Sequence, residues 1–188
     1  MSQFLRKHIE AITPLTDEEF EIIQSSFTVK RLKKHQFLLQ EGDPVKNDHL
    51  VVKGLLKAYH LVEGGKEHIL QFAMEDWWIT DYQAYLNEGR ATLFIECLED
   101  CELLCLTLRN REKICADQHA MEHFFRKKVN AGYVALQKRI LSMLTSNGRD
   151  RYEQLLKDYP ALLQRIPKTL IAAYLGISRE TLSRLAPP

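Results

Sequence analysis

Tryptophan is scarce in this 188-residue chain, with two copies, and glycine and proline are few, at eight and six. So little glycine and proline excludes a collagen-like or low-complexity polymer, and 45% hydrophobic residues exclude a disordered tail. Long apolar runs are missing too. None approaches the roughly 20 residues needed to cross a bilayer, and the opening MSQFLRKHIEAITPL has no apolar core of signal-peptide type. The expectation is a cytoplasmic protein with no membrane partner. Enzyme signatures are equally absent: no glycine-rich phosphate loop, no nucleophile elbow and no H-E-x-x-H. Carboxylates pair only in surface-like runs such as Asp17-Glu18-Glu19. No catalytic residue is expected, and the chain does not read as an enzyme.

Cysteine occurs only as Cys97, Cys101, Cys105 and Cys115, a usage that fits a reducing compartment. The four-residue spacing of the first three invites an iron–sulfur reading. On one extended strand the outer pair would lie roughly 26 Å apart, too far to share a cluster, although a turn at Glu99-Asp100 would shorten that distance. Core packing is the expectation, with no iron–sulfur cluster. His119 and His123 sit four apart on a predicted helix, but no third ligand accompanies them, so no metal site is expected.

What is present falls into three textures, and the predicted class is α+β. Thr16 opens TDEEFEII with Glu19 three residues on, the spacing of a capping box. From about Val29 to Leu108, short β-prone runs (HQFLLQ, HLVVKG, LLKAYHLV, KEHILQFA and ATLFIECLEDCELLCLTL) alternate with turn signals such as Gly42-Asp43-Pro44 and Glu63-Gly64-Gly65. Such a rhythm predicts an antiparallel β-roll of the double-stranded β-helix or jelly-roll type. The stretch DWWITDYQAYLNEG breaks it and predicts a short helix or loop across the barrel mouth. From about Arg111 to Thr145 the pattern becomes one long helix. Val129, Tyr133, Leu136, Ile140 and Met143 follow a 4-3-4-3 spacing, a seam for a twin helix in a homodimer. Met121, Phe124, Phe125 and Gly132 lie mostly off that seam and can face the chain's own barrel. TSNGRDR then makes a polar hinge, and a small all-helical module follows. The predicted division is a sensory roll over 1–110, a dimerisation helix over 111–146 and a helix-turn-helix domain over 147–188.

Net charge is only +1, yet from Lys138 onward nine Lys/Arg stand against four Asp/Glu. A basic C-terminal quarter on an acidic body suggests a polyanion partner for that quarter. Its end supplies the means. Leu170, Ile171, Tyr174 and Leu175 give one helix a buried side, and Gly176 suits a left-handed cap. Ile177 plugs the corner and Ser178 suits the N-cap of a second helix. Leu182, Leu185 and part of Thr181 turn inward, which leaves Arg179, Glu180, Ser183 and Arg184 outward. Arg can bond guanine O6 and N7, and Glu can accept from cytosine N4, in a major groove. Lys168 and Thr169, at the start of the first helix, are placed for phosphates.

GISRETLSR resembles the recognition-helix motif of the Crp/Fnr superfamily (the cyclic-AMP receptor protein and fumarate–nitrate regulator group). LLQEGDPVKNDHLVVKGLLKAYHL with EGGKEHILQF resembles that family's cyclic-nucleotide-binding-type roll, so the likeness covers nearly the whole chain. The resemblance implies a homodimeric transcription regulator on a pseudo-palindromic DNA operator, working with RNA polymerase and answering to a small-molecule effector. It implies that Arg179, Glu180 and Arg184 read bases while Ser178 and Thr181 hold phosphates.

Two departures stand out. The chain stops at Pro187-Pro188, so no C-terminal wing is expected. The family's Gly-Glu pair and following Arg, which hold a cyclic nucleotide, are not matched: the corresponding stretch offers Asp76, Trp77, Trp78, Arg90 and Thr92. A cyclic nucleotide is therefore not the expected effector. An unknown small molecule, or a pocket filled by the two tryptophans, remains open, as does a sensor whose helical module contacts protein instead of DNA.

Overall fold

The computed structural model describes residues 1–185; the expected Pro187-Pro188 ending lies outside the described residues. Helices α1 (Ser2–Glu10) and α2 (Asp17–Ser25) come first, α2 behind the expected capping box of Thr16 and Glu19. Eight strands follow: β1 (Thr28–Leu32), β2 (Phe37–Leu39), β3 (Asn47–Lys53), β4 (Leu56–Leu61), β5 (Glu67–Ala73), β6 (Trp78–Ile79), β7 (Phe94–Cys97) and β8 (Cys101–Thr107), with helix α3 (Tyr82–Leu86) between β6 and β7. They form two four-stranded antiparallel sheets, β1-β8-β3-β6 and β2-β7-β4-β5.

The side-chain period of two explains how these sheets are used on both faces. On β3 and β8, Val51 and Leu103 point between the sheets, joining Leu56, Ile79, Tyr85 and Ile95. Their neighbours Leu50 and Leu104 point the other way, into a second core with Leu5, Ile9, Phe20, Ile23, Phe124 and Phe125. The outer face of the second sheet, through Leu55, Tyr59, Ile69 and Phe72, meets the C-terminal helices in a third core. Gly54, between β3 and β4, holds φ +102, and a Cβ there would lie 2.6 Å from both the Asp100 carbonyl and the Cys101 sulfur. No other residue fits that crossing.

The sequence suggested a single helix from about 111 to 145. The structure instead has α4 (Leu108–Asp117) and α5 (His119–Thr145), separated by Gln118 in an extended conformation at φ −137, ψ 108. Burial is the cause. Ile114 and Arg111 of α4 and Met121, Phe124 and Phe125 of α5 all sit in the roll, and the chain must turn to seat both groups. From Val129 onward most of α5 is exposed, with Arg139 reaching back to β5.

Cys97 and Cys101 are likewise not on one strand. The turn at 98–100 sends β7 and β8 into different sheets, and both thiols are buried side by side near the Leu55 carbonyl. The stretch expected across the barrel mouth is the short strand β6 plus α3.

After α5, Ser146 and Asn147 are extended, and Asn147 caps α6 (Gly148–Asp158) through bonds from Arg149 and Asp150 N–H. Then come α7 (Pro160–Arg165), α8 (Lys168–Leu175) and α9 (Arg179–Leu185). No helix among the described residues is long and apolar enough to cross a membrane.

Candidate nucleic-acid interface

The turn between α8 and α9 is built by local chemistry. Gly176 takes φ +65, ψ 33, and Ile177 N–H returns to the Ala172 carbonyl, closing the end of α8. Ser178 Oγ accepts from Thr181 N–H at 3.1 Å, the N-cap bond that starts α9. Leu182 is 1% exposed, and Thr181 and Leu185 are half-buried. Arg179, Glu180, Ser183 and Arg184 all stand exposed on the opposite side, so four polar side chains share one free face. Lys168 and Thr169 are exposed at the start of α8. Glu180 sits in the first turn of α9, where its own N–H and the Ser178 hydroxyl hold its carboxyl below the usual range. It stays ionised and an acceptor.

Two arginines brace this unit from behind. Arg151 of α6 donates from Nε to the Leu175 carbonyl at 2.9 Å and from a terminal nitrogen to the Ser146 carbonyl. Arg139 of α5 donates to the Tyr174 carbonyl at 3.2 Å and to the Ile69 carbonyl of β5 at 2.9 Å, its guanidinium 3.6 Å from the Tyr174 ring centre. Both therefore bond the last carbonyls of α8, where a helix end favours cations. A third arginine, Arg165 of α7, lies between two carboxylates of the roll. It reaches Glu75 at 2.7 and 3.2 Å and Glu99 at 2.6 and 3.0 Å. Burial pushes the Glu75 carboxyl up, but the bonds from Arg165 and from backbone N–H groups outweigh it, and its pKa lies below the ordinary value.

The expected dimer seam is in place as a surface. Val129, Tyr133, Leu136, Ile140 and Met143 are each at least 40% exposed, and Val134, Leu141 and Leu144 extend the apolar area.

The five residues expected to line an effector pocket do not converge. Asp76 bonds His8 Nδ1 at 3.1 Å, and Trp78 donates to His8 Nε2 at 3.0 Å, so both face α1. Trp77 packs edge-on against Tyr159 of the C-terminal module, 5.1 Å between ring centres. Arg90 donates to the Gly42 carbonyl. Thr92 is held by a residue the sequence reading passed over: Asp81, 2% exposed, accepts from Thr92 N–H at 2.7 Å, Thr92 Oγ1 at 2.8 Å and Ala84 N–H at 3.1 Å. An Asp ahead of YQAYL is an N-cap signature that could have drawn attention to it. The Arg165–Glu75–Glu99 group had no such signal, since its members are 66 and 90 residues apart.

The outer face of the β-roll thus carries a capped helix-turn-helix unit. Residues 29–118 match the family model of the cyclic nucleotide-binding domain. The chain is similar to the "Anaerobic regulatory protein" of Bacillus subtilis, 24% identical over 130 residues, or 69% of this chain and 55% of that one. The match thus spans a little over half the length of that relative. Among solved structures, FixK2 from Bradyrhizobium japonicum aligns with TM-score 0.73 at 17% identity over 85% of this chain and 82% of that one. A regulator assigned to the Crp/Fnr family from Eubacterium rectale aligns with TM-score 0.65 at 18% identity over 91% and 82%. The chain shares the fold of these structures, and its residues 29–118 resemble a cyclic nucleotide-binding domain.

The residues present do not fit a cyclic nucleotide's phosphate at the Thr92 loop. The donors there already serve the Asp81 carboxylate, and a second anion would meet that charge at hydrogen-bond range.

Proposed function

We propose that the chain is a DNA-binding transcription regulator that reads a two-fold symmetric operator as a homodimer. One observation carries this reading: Arg179, Glu180, Ser183 and Arg184 share the free face of a helix whose other side is sealed and whose start is capped. Arg179, Glu180 and Arg184 contact base edges, while Lys168, Thr169, Ser178 and Thr181 hold phosphates. The exposed apolar face of α5 pairs with its twin, so two reading helices enter successive major grooves about 34 Å apart. The roll with α4 acts as the sensory part, α5 as the dimer helix and helices α6 to α9 as the reader. RNA polymerase is the expected partner at the promoter.

Selection from random duplex DNA at moderate salt tests the proposal. Enrichment of a two-fold symmetric site with half-site centres about one helical turn apart is the expected result. Weak retention with no sequence preference refutes it.

A further inference from the structure

Between α5 and the reader lie two extended residues, Ser146 and Asn147. A module tied to its body at one hinge can still swing about it. Arg139 ties the end of α8 to β5 close to that hinge. Arg165 provides a further directional attachment at the far side of the module, where it limits rotation about the near one. Its guanidinium is forked between Glu75, beyond the end of β5, and Glu99, in the β7–β8 turn, with four N–O distances from 2.6 to 3.2 Å. Glu75 is itself fixed by Gly54 N–H at 2.8 Å, at the crossing that tolerates no side chain. The clasp therefore binds a corner of the roll that backbone contact already fixes. The apolar contacts beside it, Phe72 on Tyr174 and Trp77 on Tyr159, are not directional and permit sliding; a forked guanidinium–carboxylate pair does not. The reading face stays exposed while the clasp is closed, so closure does not block DNA.

We propose that Arg165, clasped by Glu75 and Glu99, is a positioning residue that sets the spacing of the two half-sites the dimer accepts. This rests on the reading of the chain as a dimeric operator-binding protein. Moving one half-site by a single base pair displaces it about 3.4 Å and turns it about 35° around the duplex axis. Two heads held rigidly on one body cannot follow that step. Heads swinging on Ser146-Asn147 can, and the advantage of linkage then spreads over several spacings.

The test uses the operator recovered by the full-length wild type. Duplexes with half-site spacing altered by one and two base pairs, and a single half-site duplex, are titrated with three proteins: wild type, Arg165→Gln, and Glu75→Gln with Glu99→Gln. The wild type should prefer one spacing by about tenfold or more over its neighbours, and both variants should fall to within about threefold. Affinity for the single half-site should stay unchanged, which a general loss of structure would not allow. The glutamine pair keeps an acceptor for Gly54 N–H, so it reports on the clasp even where Arg165→Gln fails to fold. Variants that keep the wild-type spacing preference overturn the inference and leave the DNA-binding reading intact. A wild type that selects no symmetric site overturns both.

Discussion

Arg179 and Lys168 are both exposed cations, but they stand at different places on the reader and should fail differently. Arg179→Ala should cost about 1–3 kcal/mol on the best site and relax preference at one base pair. Lys168→Ala should weaken all sequences alike and reduce the salt slope by about one. Titrations over a panel of single-base operator variants at two or more salt concentrations separate the two. Buried histidines give the second expectation. Burial first, then the Lys128 charge, pulls His8 down to about 4 against the pull of Asp76; burial pulls His49 to about 4 against its bond to the Ile79 carbonyl. Burial raises Asp48 to about 6 against the opposing Arg111 charge. Between pH 6 and 5 the unfolded chain therefore holds nearly two histidine protons that the fold refuses, while the fold holds most of one on Asp48 that the unfolded chain lacks. The net difference is about one proton, so stability should fall by about 1.4 kcal/mol per unit of acidification in that window. Denaturant unfolding at pH 7, 6 and 5 checks it, and His8→Leu should flatten the slope, because Asp48 then balances His49. The exposed polar face of α9 was legible in the sequence because caps, turns and helical periodicity act within a few residues. The Arg165 clasp was not, because an ion pair across 66 or 90 residues leaves no local pattern; Asp81 did carry a local signal, as the N-cap ahead of YQAYL.

Helix α5 shows where periodicity informs and where it stops. The residues that spacing alone assigns to a seam are all exposed. The break at Gln118 carried no Gly or Pro signal, since it arises from seating Ile114 and Phe124 in the same core. Placing Asp at Tyr133 and Ile140 together should leave a folded monomer by sedimentation. That monomer should lose operator affinity while keeping what the single half-site provides. The turn between β3 and β4 offers a sharper structural test. Gly54→Ala meets both a φ of +102 and backbone at 2.6 Å, so it should lower unfolding free energy by about 2–4 kcal/mol. It should also loosen the Glu75 anchor, visible as faster exchange of the Gly54 amide's neighbours.

Roll and reader share a core: Ile69 and Phe72 of β5 pack with Ile171, Ala172 and Leu175 of α8. The two parts should accordingly melt in one calorimetric transition, with a second, earlier transition emerging only when the clasp is broken by Arg165→Gln. Short strands and turn signals made the roll and the helical module separately legible in the sequence. Their docking was not, since it depends on which sheet face is left uncovered after the chain has folded. The apolar face of α5 has one more consequence. On the proposed reading as a dimer, a chain that must find its twin before it can grip an operator has an active concentration that grows as the square of the total, wherever pairing is incomplete. Doubling synthesis would then raise the reading species nearly fourfold, and a promoter under its control would answer to changes in supply with a steepness that no single chain could give.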